Sequence, residues 1–352
     1  MRFLRVSTLI VVSIGVSSLA AVTVAGQASA APRAKSTDAA KKSAKLRTAW
    51  GHPDLQGIWD FRTITPLERP ADLAGKATLT DQEAAEYERR TVESRNADAR
   101  RDTTTRRTVN GTAETEDVAL AYNDFWWDRG TKVIGTRRTS LVVEPADGRI
   151  PSLTPEGQTR MSAQDNASQR PAEGPEDRSV GERCILGFNS GPPMAPGGYN
   201  QNVQIFQTPD HVVLLNEMVH NARIIPLDGR PHIPQQVHQW VGDSRAHWEG
   251  DTLVIETKNF YQTTSLRASG PNLHLVERLS RGDANTLLYE FTVTDPTTWT
   301  KPWTAQIPMV KTAGPIYEYA CHEGNYGMTG LLSGARAVEK KPASGTATKT
   351  SR

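Results

Sequence analysis

The sequence predicts a mainly β fold: an antiparallel barrel, or a strongly curved sheet or sandwich, with one helix on its surface. Three observations carry this. Short runs of alternating apolar and polar residues crowd the chain after residue 200, as strands with one buried face do. Turn signals separate these runs at regular spacing, which marks sandwiches and barrels. Strand and helix patterns do not alternate, which argues against a parallel α/β sheet.

The elements follow in chain order. Residues 54–61 alternate around Ile58, Trp59 and Phe61 and read as a half-buried strand. Thr80 followed by Glu83 forms a capping box. The helix it opens is expected to run to about Arg101, on the outside, because its apolar stripe is too narrow to be core. Residues 102–117 are Thr-rich and polar and read as a loop. Residues 139–144 and 149–153 flank the turn Ala146-Asp147-Gly148 and suggest a hairpin. Residues 160–182 are polar and turn-rich. Strands are then expected at 203–207, 211–217, 222–227, 246–248, 252–257, 273–279, 286–294, 303–310 and 316–319. The turns between them include Thr208-Pro209-Asp210, Glu249-Gly250-Asp251 and Arg281-Gly282-Asp283.

The amino terminus carries Arg2 and Arg5, an uncharged apolar stretch over residues 9–24, and Ala28-Ser29-Ala30. This is the pattern of a secretory signal peptide over residues 1–30, cleaved after Ala30. The alternative is an uncleaved anchor helix, since the stretch approaches spanning length. No cysteine follows that stretch, which argues against a lipoprotein anchor, and no second long apolar run exists. The expected location is therefore secreted or periplasmic, with no membrane insertion after cleavage. Residues 31–47 and 339–352 are rich in Ala, Lys, Ser and Thr and cannot bury apolar area. They read as a solvated linker and tail. Residues 48–338 lie between, read as a single β-rich domain, with two smaller domains as the alternative.

Losing Arg2 and Arg5 takes the 41 basic residues to 39, against 39 acidic ones. A neutral mature chain lacks the basic excess of proteins that grip phosphate backbones, so no nucleic-acid partner is expected. Cys184 and Cys321 are the two cysteines. In an exported chain an even count reads as a disulfide, with two unpaired thiols as the alternative. Neither belongs to a Cys-x-x-Cys motif, so redox catalysis is not suggested.

Two resemblances add to this. Gly57-Ile58-Trp59 is similar to the Gly-x-Trp signature that opens lipocalin-like barrels, which implies a meander of strands around a ligand. Residues 122–130, 203–227, 248–254 and 317–323 together resemble a group of exported bacterial proteins without an assigned activity. That resemblance implies export and a β-rich fold and transfers no catalytic residue.

Candidate functional residues come from chemistry rather than motif. His220, His232 and His238 lie close in sequence around Glu217 and Asp228, and His322-Glu323 follows Cys321. Imidazoles and carboxylates on strand ends can hold a divalent metal. The spacing matches no tight metal motif, so surface or hydrogen-bonded histidine is the competing explanation, and the cofactor stays open. Glu217 ends an apolar run, where burial raises a carboxylate pKa and suits a general base; a solvated strand end is the alternative. Glu318 lies between Tyr317 and Tyr319, and Asp243 with Arg245 suggests a surface pair. The tryptophans are the best pocket evidence. Trp126 and Trp127, flanked by Asp124 and Asp128, point to opposite faces of an extended chain. Trp240, Trp248, Trp299 and Trp303 lie near strand ends. Aromatic side chains line small-molecule pockets, and equally fill cores. The Gly- and Pro-rich run 191–198 is a lid or a connector; it lacks the ending of a phosphate loop. No nucleophile elbow is present.

Two function classes follow. One is a β-barrel that binds a small, mainly apolar or aromatic ligand. The other is a hydrolase, lyase or isomerase using the same cavity. The expected site is Glu217, His220 and His322 as acid–base or metal groups, Trp126 or Trp127 against the ligand, and Arg245 holding an anion. All are expected to share one concavity, with the Cys184–Cys321 bridge carrying His322 to the loop after Cys184.

Overall fold

A computed structural model describes residues 47–96 and 127–340, with the backbone of residues 106–109 and 112–115. The first strand, β1 (Gly57–Asp60), buries Trp59 completely. The first helix, α1 (Asp81–Arg95), begins with the capping box read from the sequence. Thr80 Oγ1 accepts from the Glu83 amide at 3.2 Å, and the Glu83 carboxylate accepts from the Thr80 amide at 2.9 Å. Lys76 and the Thr80 groups hold the Glu83 carboxyl down at about 2. The helix lies on the outside, with Ala84 as its buried residue. It stops at Arg95; its expected continuation past residue 96 falls outside the described residues. Two short strands, β2 (Arg106–Val109) and β3 (Thr112–Thr115), pair with each other where the sequence reads as a loop.

The remaining strands are β4 (Val142–Glu144), β5 (Asn202–Gln207), β6 (His211–Asn216), β7 (Ala222–Pro226), β8 (Asp243–Glu249), β9 (Thr252–Lys258), β10 (His274–Arg281), β11 (Thr286–Thr294) and β12 (Trp303–Thr312). They build an antiparallel sheet in the order β7-β6-β5-β1-β12-β11-β10-β9-β8, and β4 pairs with β12 beyond the end of β1. The meander from β8 to β12 pairs neighbours in sequence, as its turn signals imply. Gly250 turns the β8–β9 hairpin with φ +59°, a conformation that costs a side chain but not glycine. β1 is inserted between β5 and β12, so the first strand of the chain joins the late strands.

The sheet curves around one apolar core containing Trp59, Tyr289, Phe291 and Trp303, but does not close into a barrel. The edge strands β7 and β8 are not backbone-paired. A side chain spans the gap instead. Arg223 of β7 points inward and donates to Ser244 of β8 at 3.0 Å, Thr257 of β9 at 3.2 Å, and both oxygens of Glu277 of β10 at 3.0 and 2.6 Å. The Tyr289 hydroxyl donates to Glu277 at 2.8 Å and accepts from the Met194 amide at 3.1 Å. Burial works against the Arg223 charge, but the Glu277 carboxylate outweighs it and raises the pKa. Burial, reinforced by Glu277, pushes the Tyr289 phenol well above its ordinary value, so it stays a proton donor.

Three expectations need correcting. Residues 149–153 form no strand; Leu153 bridges Trp299, and the chain enters a second helix, α2 (Pro155–Gln169). Thr154 caps α2 and Pro155 opens it, a good start signal, but its apolar residues follow no helical stripe. Residues 316–319 are not a strand, because their backbone turns to side chains: the Tyr317 amide donates to Glu217 at 3.1 Å, and the Tyr319 carbonyl sits 3.3 Å from His220 Nδ1. A third helix, α3 (Tyr326–Glu339), occupies the last stretch before the tail and is capped by Asn325. α1 is therefore not the single surface helix. The Cys184–Cys321 disulfide is present, which suits an oxidising compartment. Among the described residues no helix is long and apolar enough to cross a membrane.

Candidate functional site

A cavity of about 640 Å³ lies where the chain leaves β1. Its floor is residues 63–67, fixed by local hydrogen bonds. The Ile64 amide and the Thr63 hydroxyl both donate to the Lys132 carbonyl at 2.9 Å, and the Ile134 amide donates to Thr65 Oγ1 at 3.0 Å. The Leu141 and Val142 amides donate at 2.9 Å to the carbonyls of Pro66 and Leu67. The floor is thus held as extended chain against its neighbours.

The opposite wall is the Gly- and Pro-rich run, whose residues 195–198 line the cavity with Phe188 and Tyr199. The Asp128 amide donates to the Gly198 carbonyl at 2.8 Å and clips this wall to the segment carrying Trp127. The Gly197 amide donates to Gln201 Oε1 at 2.7 Å, and Asn189 donates to the Tyr199 carbonyl at 2.8 Å. Both glycines are needed for closeness. A Cβ on Gly198 would lie 2.8 Å from the Trp127 ring, and one on Gly197 2.7 Å from the Phe188 ring. With only hydrogen at those positions, the two aromatic rings rest on backbone.

Tyr199 ties the aromatics together. Its ring centroid lies 5.8 Å from Trp127, 5.3 Å edge-on from Phe188 and 6.0 Å from Tyr319, spacings typical of favourable aromatic pairs. Arg129 stacks its guanidinium 3.8 Å from the Trp127 ring centre, a cation–π arrangement. Arg95, at the end of α1, completes the lining. Beyond Trp127 and Arg129 a smaller cavity of about 400 Å³ shares Arg95, Trp127 and Arg129 and adds Asp60, Arg62, Asp128 and Lys132. There Arg62 bonds to both Asp60 and Asp128, and those carboxylates raise its pKa despite the opposing effect of burial.

Of the residues expected at a site, Trp127 lines this cavity. Trp126, with Asp124, lies outside the described residues. Glu217 is buried beyond the end of β6 with both oxygens engaged: one accepts from Asn202 Nδ2 at 2.7 Å, the other from the Tyr317 amide. His220 is exposed and reaches Tyr319 through Nδ1. His322 is exposed and follows the disulfide. Glu217 and His220 thus grip the segment leading to His322, and none of the three lines the cavity. Arg245 lies on β8, bonded to Asp243 at 2.6 Å and to the Pro231 carbonyl at 3.0 Å, away from the cavity wall. Trp299 and Trp303 are core, while Trp240 and Trp248 are half-buried against Tyr261 and His52. The residues missed by sequence reasoning are Arg95, Arg129, Phe188 and Tyr199. The available signal was a Gly-Gly-Tyr run and a Trp-Asp-Arg run, which only folding brings together.

A second polar cluster lies on the outer face of β8, β9 and β10. His232 bonds Asp243 at 2.8 Å, and His274 and Lys258 approach Glu256 at 2.8 and 2.6 Å. Among the described residues no group of three or more His, Cys, Asp or Glu is placed to hold a metal ion. Burial acts to raise the Glu256 pKa, but Lys258 and the two histidines take it down to about 2. Its contribution to stability is therefore complete above its ordinary value of 4.5 and is lost as pH falls toward about 2. Urea unfolding at pH 6 and pH 3 should show a larger loss for the wild type than for Glu256→Gln; equal losses would contradict this assignment.

Neither a family model nor a curated protein matches this chain.

Proposed function

We propose that the protein is exported and binds a small, mainly apolar or aromatic molecule in the cavity walled by Trp127, Phe188 and Tyr199. The single observation that carries this is the cavity itself. About 640 Å³ is within the range of small-molecule sites, which are apolar and aromatic with a few polar groups. Its floor and glycine-lined wall are held by backbone hydrogen bonds, so the site is preformed and little ordering cost falls on the ligand. The signal-peptide pattern and the disulfide support export.

The enzyme alternative has less support. Glu217, His220 and His322 do not line the cavity, and the oxygens of Glu217 accept from Asn202 and Tyr317. Native mass spectrometry of the mature protein, recovered from the periplasm or culture medium, tests the proposal. The expected result is a chain beginning at Ala31 that carries one organic molecule, absent from Gly198→Val, where the new side chain displaces Trp127. Stoichiometric metal without an organic ligand, or a mature chain beginning at Met1, would contradict it.

A further inference from the structure

We infer that the aromatic pair Trp240 and Tyr261 forms a second binding site, which takes a neutral β-linked glucan chain; neither residue lines the cavity described above. Two loops build this surface, residues 227–242 between β7 and β8 and residues 259–273 between β9 and β10. Their backbones are bonded to each other. The Gln239 amide donates to the Asn259 carbonyl at 2.9 Å, and the Tyr261 amide donates to the Gln239 carbonyl at 3.0 Å. Asn259 Nδ2 donates to the Ile233 carbonyl at 2.9 Å, and His232 bonds Asp243 at 2.8 Å, which fastens the first loop to the sheet. The Trp240 and Tyr261 ring centroids are 4.3 Å apart, with the rings inclined by 46°. Tyr261 is 41% exposed and Val237 of the first loop 49%. The Arg183 guanidinium lies 5.6 Å from the Trp240 ring centre and pairs with Glu176 at 3.7 Å.

The composition of the two loops selects the ligand. Residues 233–242 and 259–266 contain no Asp, Glu, Lys or Arg, so a charged polymer finds no counter-charge there. They are rich in side-chain amides instead: Gln235, Gln236, Gln239 and Gln262 are all exposed. Each such amide both donates and accepts. A wholly apolar partner would strip water from them and return no hydrogen bond, which is costly. A proline-rich peptide would suit the rings, but proline has no N–H, so the amide oxygens would go unanswered. Sugar hydroxyls donate as well as accept. The ring substituents of a β-linked glucan are all equatorial. Each sugar unit therefore has hydroxyls around its edge and axial C–H bonds on its flat faces. Those C–H hydrogens meet the electron-rich face of an aromatic ring, while the edge reaches the glutamines. An exposed pair of rings covers one face of a sugar and leaves the chain free to run on at both ends.

The test is native electrophoresis of the mature, disulfide-bonded protein through gels containing hydroxyethyl cellulose, a β-linked glucan, or dextran, an α-linked one. Retardation by hydroxyethyl cellulose alone is expected, and its dependence on polymer concentration gives a Kd. Tyr261→Ala should weaken that Kd by at least about tenfold, as loss of an aromatic anchor does, while Tyr261→Phe, which keeps the ring, should stay close to wild type. Gln239→Ala/Gln262→Ala should weaken it too, with both rings in place. Urea midpoints equal to that of the wild type show that the variants are folded. Equal mobility of the wild type in the two gels overturns the inference. If a decaproline peptide then quenches the tryptophan fluorescence of the wild type and not of Tyr261→Ala, the surface is a peptide site instead. Retardation that survives both Tyr261→Ala and Gln239→Ala/Gln262→Ala overturns the assignment to this surface. None of these outcomes bears on the cavity.

Discussion

Replacing Arg223 with methionine is expected to destabilise the protein by about 3–5 kcal/mol, the usual cost of breaking a buried ion pair from one side. The side chains of Arg223 and Glu277 are 2% and 0% exposed. Without the guanidinium, Glu277 keeps only the Tyr289 hydroxyl, and an isolated carboxylate in that core must protonate or draw in water. Ser244 and Thr257 lose a donor at the same step, and the link between the two edges of the sheet disappears. The paired change Arg223→Met/Glu277→Gln should recover most of the loss, because the amide still accepts from Tyr289 and no charge remains buried. Urea denaturation of both variants measures this. A loss below about 1 kcal/mol in the single variant, the range of exposed pairs, would mean that Arg223 is solvated and does not join the edges.

Removing the Cys184–Cys321 bridge has the second largest expected effect. The cysteines are 137 residues apart in sequence, and the chain-entropy relation gives about 4–5 kcal/mol for a loop of that size. The loss should be spatially uneven. The bridge fastens the segment after β12 to the region before the glycine-rich wall, and Asn325, the cap of α3, donates to the Glu182 carbonyl at 2.9 Å beside it. Cys184→Ser/Cys321→Ser is therefore expected to expose residues after about 313 to protease before the sheet unfolds. It should also release Tyr319 from Tyr199 at the rim of the cavity. A variant with the same urea midpoint as the wild type would show that the bridge constrains nothing that the sheet does not already hold.

These two effects differ in how far they could be read from the sequence. The disulfide followed from two cysteines and an export signal. The Arg223 link did not, and the reason is physical. In Ala222-Arg223-Ile224-Ile225 each alternate row carries one isoleucine, so alternation does not say which row faces in; the fold buries Arg223 with Ile225 and leaves Ile224 69% exposed. Period-2 patterning fixes which residues share a face, not which face is inward when the inward row contains its own counter-ion. Glu277 follows the same logic, sharing its inward row with Leu275 and Leu279. The turns were legible because Gly, Pro and Asp carry local backbone preferences. α2 was not, because an exposed helix lying against loops needs no apolar stripe. The cavity was half legible. Trp127 and the Gly-Pro run each stood out, but their meeting depends on the Asp128–Gly198 hydrogen bond and on two absent Cβ atoms. Pairing over seventy residues of separation leaves no local pattern.

A small, mainly apolar or aromatic molecule is proposed to occupy the space between Trp127 and the glycine-lined wall. Nitrogen-resolved NMR of the labelled mature protein, titrated with 2-naphthamide, tests it most directly. The predicted result is saturable shifts confined to the Trp127 indole, the amides of Gly197, Gly198 and Tyr199, and the floor amides of Thr63 and Thr65. Shifts that map to the outer face of the sheet around Phe206 and Ile224, or none at saturating probe, would contradict the account.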